Sequence, residues 1–322
     1  MASNPDQIQQ QEAERRRQEA EAAAIALLLL GRKRYDLPAL IAAGRIRPRA
    51  FRRISPSGVM AGDLAAPYLA IVRAWEAETD ELLRAYERAM ASRDMTGLHR
   101  AIAEASGRVD QRTDFSARQM RGAIGRIEAW HRRQWESRVK ASTGLDVSMF
   151  TTAADVAPEI DNATAWNEQL AGDVNAQTKQ RIVTALLAAA AVNAPATIAA
   201  KKAREAEQAR APQTDPEAPD APAAPGEVAP SVEELIADAV AKAKTRSRNI
   251  GSDQAEKTSA SLTRARRQSA GVAKWRWRHY DPQPNPRPEH IRRDGNIYSD
   301  TRPPPTLPGE EPFCKCWEET AL

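Results

Sequence analysis

The sequence has 322 residues, enough for about two domains, and alanine is its commonest hydrophobic residue. Aromatic residues make up only 5% of the chain and charged residues 28%, which argues against a compact α/β domain with a large core. The net charge of +4 conceals two basic blocks, residues 31–53 and 242–278, and an acidic block, residues 205–234, between them. Such blocks are typical of solvated surfaces and of contacts with nucleic acid or acidic proteins.

The beginning of the chain carries no pattern of an export signal. Its first twenty residues are polar and charged, and the apolar run Ala22–Leu30 is about half as long as a membrane span. We therefore expect no stable membrane insertion. The chain has two cysteines, which together with the absent signal predicts a reducing cytoplasm and no disulfide framework.

Helical periodicity dominates the first two hundred residues. A first long helix is predicted by an apolar stripe at intervals of three, four or seven: Tyr68, Val72, Trp75, Leu82, Tyr86 and Met90. A second helix carries Ile124, Ile127, Trp135 and Val139 along one side and should end near Gly144. Further helices are predicted over Asn162–Ala191 and Thr197–Ala209. This pattern indicates an elongated helical domain over residues 1–209.

A proline-rich, acidic segment follows, and structure resumes after it. Residues 210–230 carry almost no large apolar side chain, so we predict an extended linker there. Ser231 and Glu234 form a capping-box pattern at the start of an amphipathic helix. A separate helix is predicted over Ser252–Ser269, ending at Gly271. Residues 231–322 should form a second module.

The end of the chain changes from helical to strand patterns. Residues 272–279 alternate, with Trp275, Trp277 and His279 on one face and basic residues on the other. A short strand is predicted at residues 296–298 and a last strand at Phe313–Glu318. The fold class is therefore mainly α, with a small C-terminal α+β module.

Both cysteines lie in the predicted last strand. Alternation would place Cys314 and Cys316 on the same face. Two interpretations are open: the thiols bind zinc together with His290 and His279, or they pack as buried, inert side chains. Both place the cysteines near His290.

The last ninety residues carry several short motifs in a fixed order. A helix with an Asp-Gln pair leads into an "AGV…W" segment, followed by Arg-Pro-x-His, Asp-Gly and a terminal Cys-Lys-Cys. The positions are Asp253, Gln254, Gly271, Val272, Trp277, Arg287, His290, Asp294, Gly295, Cys314 and Cys316. This ordered set resembles phage minor head proteins of the Mu protein F type, the phage head-morphogenesis family. The family usually has an acidic residue close before the arginine, whereas here Asp281 lies further away, which puts a role for Asp281 in doubt.

The resemblance implies a structural, non-enzymatic component of a tailed phage. Such a protein is made in the host bacterial cytoplasm and then resides inside the virion head, near the portal, where it aids head assembly or DNA delivery. The expected partners are the portal protein, the capsid interior and packaged DNA. No catalytic residue is predicted.

Two alternatives remain. A metal-dependent hydrolase acting during infection would use His290, Asp294 and the thiols, but no H-E-x-x-H or G-x-S-x-G motif accompanies them. A non-specific DNA-binding protein would use a basic set. That set comprises Arg246, Arg248, Arg264, Arg266, Arg267 and Lys274.

Overall fold

Helices dominate the structure, and the small sheet lies at the C-terminal end of the chain. The computed structural model describes residues 35–192, 230–280 and 286–322, with Glu14, Arg15 and Gln18. The helices are α1 (Leu37–Ala43), α2 (Gly58–Ser92), α3 (Thr96–Thr143), a 3-10 turn (Ala154–Val156), α4 (Ala157–Val192), α5 (Val232–Ser269) and α6 (Pro288–Arg293). The strands are β1 (Lys274–Arg278), β2 (Ile297–Ser299) and β3 (Trp317–Thr320). The predicted fold class, mainly α with a small C-terminal α+β module, is confirmed.

The two predicted long helices are α2 and α3. The apolar stripe of α2 is buried from Tyr68 to Tyr86, and only its last member, Met90, is partly exposed. All four predicted apolar residues of α3 are buried. Gly144 follows the last residue of α3 with φ +77°, the left-handed conformation that glycine adopts without strain. The predicted helix end is therefore confirmed.

Helix α5 corrects one prediction, because it is a single helix where the sequence indicated two. Its start is the predicted capping box: the Ser231 N–H donates to Glu234 Oε2 at 2.7 Å, and the Glu234 N–H donates to Ser231 Oγ at 3.2 Å. Gly251, at the predicted break, lies inside the helix. A Cβ built there would be 2.6 Å from the Cβ of Ala65 on α2, so this glycine permits close helix packing.

We expect Gly251→Ala to destabilise the protein by about 1–3 kcal/mol, because the added methyl group overlaps the α2 backbone. The matched control is Gly107→Ala in α3, where a Cβ meets no atom within 4 Å. That substitution should stabilise the helix by up to about 1 kcal/mol. Urea denaturation measures both values. Two shifts of the same sign would contradict the close approach of α2 and α5 at Gly251.

The described contacts divide the chain into two compact units. The first contains the residues up to Ala66, Arg118–Glu168 and Asn249–Leu322; the second contains Pro67–Ala117 and Gln169–Arg248. The first unit has an apolar core built from α1, the C-terminal half of α3 and the end of α5. In it the Leu37 N–H donates to the Ala270 carbonyl at 2.9 Å, which joins α1 to the end of α5.

The second unit is entirely helical where it is described. Its core includes Trp75 of α2, whose indole N–H donates to Asn175 Oδ1 of α4 at 2.7 Å. The Asn175 amide donates in turn to Asp110 of α3 at 2.6 Å. These hydrogen bonds satisfy the buried indole N–H of Trp75 and connect it, through Asn175, to the exposed Asp110.

A three-stranded antiparallel sheet, in the order β2-β1-β3, forms the base of the C-terminal module. Trp275 pairs with Tyr298 on β2, and Trp277 pairs with Glu318 on β3. Both tryptophans are buried, and they share one face of β1, as the alternation predicted. Strand β2 lies one residue later than predicted.

The last strand was predicted too early in the chain. Phe313 has φ +58°, which is incompatible with a strand, and the Cys314 N–H closes a turn on the Glu311 carbonyl at 3.1 Å. The chain becomes extended only at Trp317. The cysteines therefore lie in a loop, and the same-face argument from strand alternation is wrong.

Several predictions concern residues outside the described ranges. These are the apolar run at 22–30, the helix at 197–209, nearly all of the linker at 210–230, and Asp281. The predicted domain boundaries fall at or beside such residues and stay predictions. Among the described helices, none has both the length and the apolar composition required for a membrane span.

Candidate functional site

The two cysteines are buried, unpaired in any disulfide, and close to His290. The Sγ atom of Cys314 lies 3.5 Å from His290 Nδ1, and the Sγ atom of Cys316 lies 3.6 Å from the same nitrogen. Cys316 Sγ also lies 3.6 Å from Nδ1 of His279, a residue that immediately follows β1. The structure thus brings together three of the four side chains that the sequence suggested for a zinc site and places the fourth, His279, beside Cys316, although no strand face aligns the thiols.

His290 is oriented by two neighbours. It lies on the short helix α6, which begins at Pro288 after the extended residue Arg287. The edge of its ring packs against Trp277, with centroids 5.2 Å apart. Its Nε2 atom lies 3.5 Å from Glu311 Oε2, so Nδ1 is the nitrogen that points to the sulfurs.

The loop that carries the cysteines is held by two of the motif residues. Asp253 on α5 accepts the Phe313 N–H at 2.6 Å. Arg287 donates to the Pro312 carbonyl at 3.1 Å and pairs with Glu311 at 2.8 Å. Asp253 and Arg287 therefore hold the peptide group that joins Pro312 to Phe313, directly before Cys314.

The Asp-Gly turn positions His279. Asp294 Oδ1 accepts the His279 N–H at 2.8 Å, and the Gly295 N–H donates to the Trp277 carbonyl at 2.9 Å. Gly295 has φ +80°, a left-handed conformation that glycine adopts without steric cost. The turn therefore holds the end of β1, and with it His279, next to Cys316.

The remaining motif residues also have structural surroundings. Gln254 is buried beside Asp253, and Val272 belongs to the apolar core of the first unit. Gly271 has φ +75° and lies against Asp36, the residue that caps α1. The residues that carry the resemblance all lie within the first unit.

Comparison of the chain with protein-family models, with curated proteins and with solved structures finds no match. What the cluster does must therefore be inferred from its own geometry and chemistry.

The basic residues of α5 correct the DNA-binding prediction. Arg266 and Arg267 have side chains that are 1% and 0% exposed. Arg266 pairs with Glu128 at 2.5 Å, and Arg267 pairs with Asp300 at 2.6 Å. Two arginines that are buried in ion pairs cannot contact phosphates, so their assignment to DNA is wrong.

The other predicted DNA contacts differ in exposure. Arg264 is mostly buried and pairs with Glu318 at 2.6 Å. Arg248 and Lys274 are exposed, and Arg246 is half-buried.

The acidic partners Glu128, Asp300 and Glu318 were missed by sequence reasoning, because they lie 138, 33 and 51 residues from the arginines they bind. No local pattern marks such pairs.

A hydrogen bond between the two thiols shifts their pKa values in opposite directions. Donation from Cys316 lowers the pKa of Cys314 to about 5. The same bond, together with burial, raises the pKa of Cys316. A thiolate beside an imidazole is the arrangement of a cysteine nucleophile. Cys314 is only 2% exposed, however, so a substrate could not reach its sulfur without opening of the module.

Proposed function

We propose that this chain is a structural minor head protein of a tailed phage, which binds the portal inside the capsid. The observation that carries the proposal is the common role of the residues on which the resemblance rests. Asp253, Arg287 and Asp294 each hold loop backbone through their side chains. Residues selected for catalysis would instead direct polar groups into an accessible cleft.

The proposal includes assembly in the host cytoplasm and a final location in the virion, near packaged DNA. Long helices supply the stiff, extended surfaces on which a portal could bind. The basic side chains that remain accessible on α5 and β1 suit weak contact with phosphates. DNA contact is then secondary to protein contact.

Co-expression with the portal protein of the same phage, followed by size-exclusion chromatography, tests this function. We expect the two proteins to elute together at low salt and still at about 1 M salt, because contacts between apolar helix faces are not screened. Retention on DNA should fall steeply over the same range.

The control is a double variant, Arg246→Glu with Arg248→Glu. It should lose DNA retention and keep portal binding. Elution of the folded chain apart from the portal at both salt concentrations would contradict the proposal. Loss of portal binding only at high salt would favour the DNA-binding alternative and an electrostatic partner.

A further inference from the structure

The C-terminal module buries one histidine and both cysteines but exposes three large apolar side chains. Ile291, Ile297 and Phe313 are 49%, 57% and 58% exposed, whereas His290, Cys314 and Cys316 are 2–3% exposed. Among the described residues, the buried local core comprises the two tryptophans of β1 and the two cysteines, with Tyr298 and Leu307 packed against it. Because this core buries little apolar surface, a bound metal ion would add to the stability of the module.

We propose that His290, Cys314, Cys316 and His279 bind one structural zinc ion, with both histidines coordinating through Nδ1. This inference concerns the stability of the C-terminal module and does not depend on portal binding.

The spacing of the donor atoms matches tetrahedral zinc. Zinc lies about 2.3 Å from thiolate sulfur and about 2.0–2.1 Å from imidazole nitrogen, so a tetrahedron has an N···S edge of about 3.6 Å. Three of the four N···S distances in the cluster, those of Cys314 to His290 and of Cys316 to His279 and His290, are 3.5, 3.6 and 3.6 Å. The donor atoms of His290, Cys314 and Cys316 all lie within 4.8 Å of one another.

Glu311 supplies the outer support that zinc-bound histidines use. With Nδ1 as ligand, the His290 Nε2 must carry its hydrogen, and this buried atom has no normal hydrogen bond among the described residues. The nearest acceptor is Glu311 Oε2 at 3.5 Å, which Arg287 holds at 2.8 Å. A carboxylate behind the imidazole fixes its tautomer and raises its basicity.

His279 decides whether the site is closed. Its Nδ1 is close to Cys316 but lies outside the mutually close trio, so its ring must move towards the other two ligands to complete the tetrahedron. Three protein ligands with a free position characterise catalytic zinc, whereas four characterise structural zinc. Asp294 anchors the His279 backbone beside the cluster, which favours the closed, structural arrangement.

The test uses the full chain, purified without added metal and reconstituted with zinc or cobalt. We expect about one zinc per chain by elemental mass spectrometry. Cobalt should give the intense visible absorption of a tetrahedral site and a sulfur-to-metal charge-transfer band. Cys314→Ser and Cys316→Ser should each weaken that band, and the double variant should abolish it.

Two milder variants and one control keep the proposal testable if the serine variants fail to fold. Glu311→Gln should weaken zinc binding by about 10–100-fold, and His279→Ala by at least as much. His99→Ala, at an exposed position on α3, is the matched control and should bind zinc like the parent.

Two results would overturn the proposal. A folded parent chain that takes up neither zinc nor cobalt would show that the thiols are packed core residues. Unchanged zinc affinity in His279→Ala would remove this histidine from the ligand set and leave an open coordination position.

Discussion

Replacing Arg267 with alanine should destabilise the protein by about 3–5 kcal/mol, the cost of breaking a buried ion pair. The Arg267 guanidinium donates to both oxygens of Asp300 at 2.6 and 3.0 Å, to Glu318 at 3.3 Å and to the Val272 carbonyl at 2.6 Å. Its removal leaves Glu318, which is 3% exposed, with one cation fewer. Urea denaturation followed by tryptophan fluorescence measures the loss, since Trp275 and Trp277 report on the same module.

The control is Arg121→Ala. Arg121 and Asp161 form an ion pair of similar length, 2.9 Å, but their side chains are 64% and 62% exposed. Water already solvates both partners, so the loss should be below about 1 kcal/mol. Arg267→Lys should recover only part of the stability, because an ammonium group cannot reproduce the planar fork. Equal effects of Arg267→Ala and Arg121→Ala would contradict the structural role assigned to Arg267.

Periodicity in the sequence was sufficient to predict helices α2 and α3. The intervals between Tyr68 and Tyr86 are those of one helical face, and alternation along β1 correctly placed Trp275 and Trp277 on one face, which the structure buries. Such patterns depend only on neighbouring residues. The fold class could therefore be predicted from the sequence alone.

Features set by distant residues could not be predicted in this way. Asp253, 60 residues earlier in the chain, holds Phe313 in a turn. Because of this contact, the last strand begins later than the sequence predicted. Gly251 lies directly before the second helix that the sequence predicted, but in the structure it lies inside α5. Its lack of a side chain allows Ala65 of α2 to approach closely. The convergence of His290 with the cysteines was predicted correctly from the wrong premise, because a loop and not a strand brings them together.

The same limit applies to the basic residues of α5. A run of arginines indicates a surface for phosphates when only local charge is considered. Burial and pairing with Glu128, Asp300 and Glu318 instead make Arg266 and Arg267 part of the core. Charge in a sequence marks partners in solution only when the fold leaves that charge exposed.

Acidification below about pH 6.5 should destabilise the protein through His131. This histidine is fully buried, and its Nδ1 accepts a hydrogen bond from Arg266 at 2.9 Å. Its Nε2–H then donates to Thr263 Oγ1 at 2.9 Å, and that hydroxyl donates to the Ser259 carbonyl at 2.9 Å. The His131 ring is therefore neutral, with its one hydrogen on Nε2 and a free electron pair on Nδ1 that accepts from Arg266. A second ring proton would sit on Nδ1 and face the Arg266 guanidinium.

Burial, and then the charge of Arg266, hold the pKa of His131 well below its ordinary value of 6.5. The unfolded chain therefore binds a proton near pH 6.5 that the folded chain does not. Stability is full above this pH and falls as the pH decreases towards the folded pKa, by at most about 1.4 kcal/mol per pH unit. The expected loss between pH 7.5 and pH 5 is about 2 kcal/mol.

His131→Gln separates this contribution from those of other titrating groups. A glutamine amide can accept from Arg266 and donate to Thr263, but it does not titrate, so the variant should lose stability less steeply between pH 7 and pH 5. His99→Ala removes an exposed histidine and should keep the parental slope. Denaturation midpoints across this pH range measure the stability of each protein. Titrating groups that all three proteins share contribute equally, so they cancel when the slopes are compared. Parallel curves for the parent and His131→Gln would show that His131 takes up its proton in the folded protein, against the neutral tautomer that the Arg266 and Thr263 contacts require.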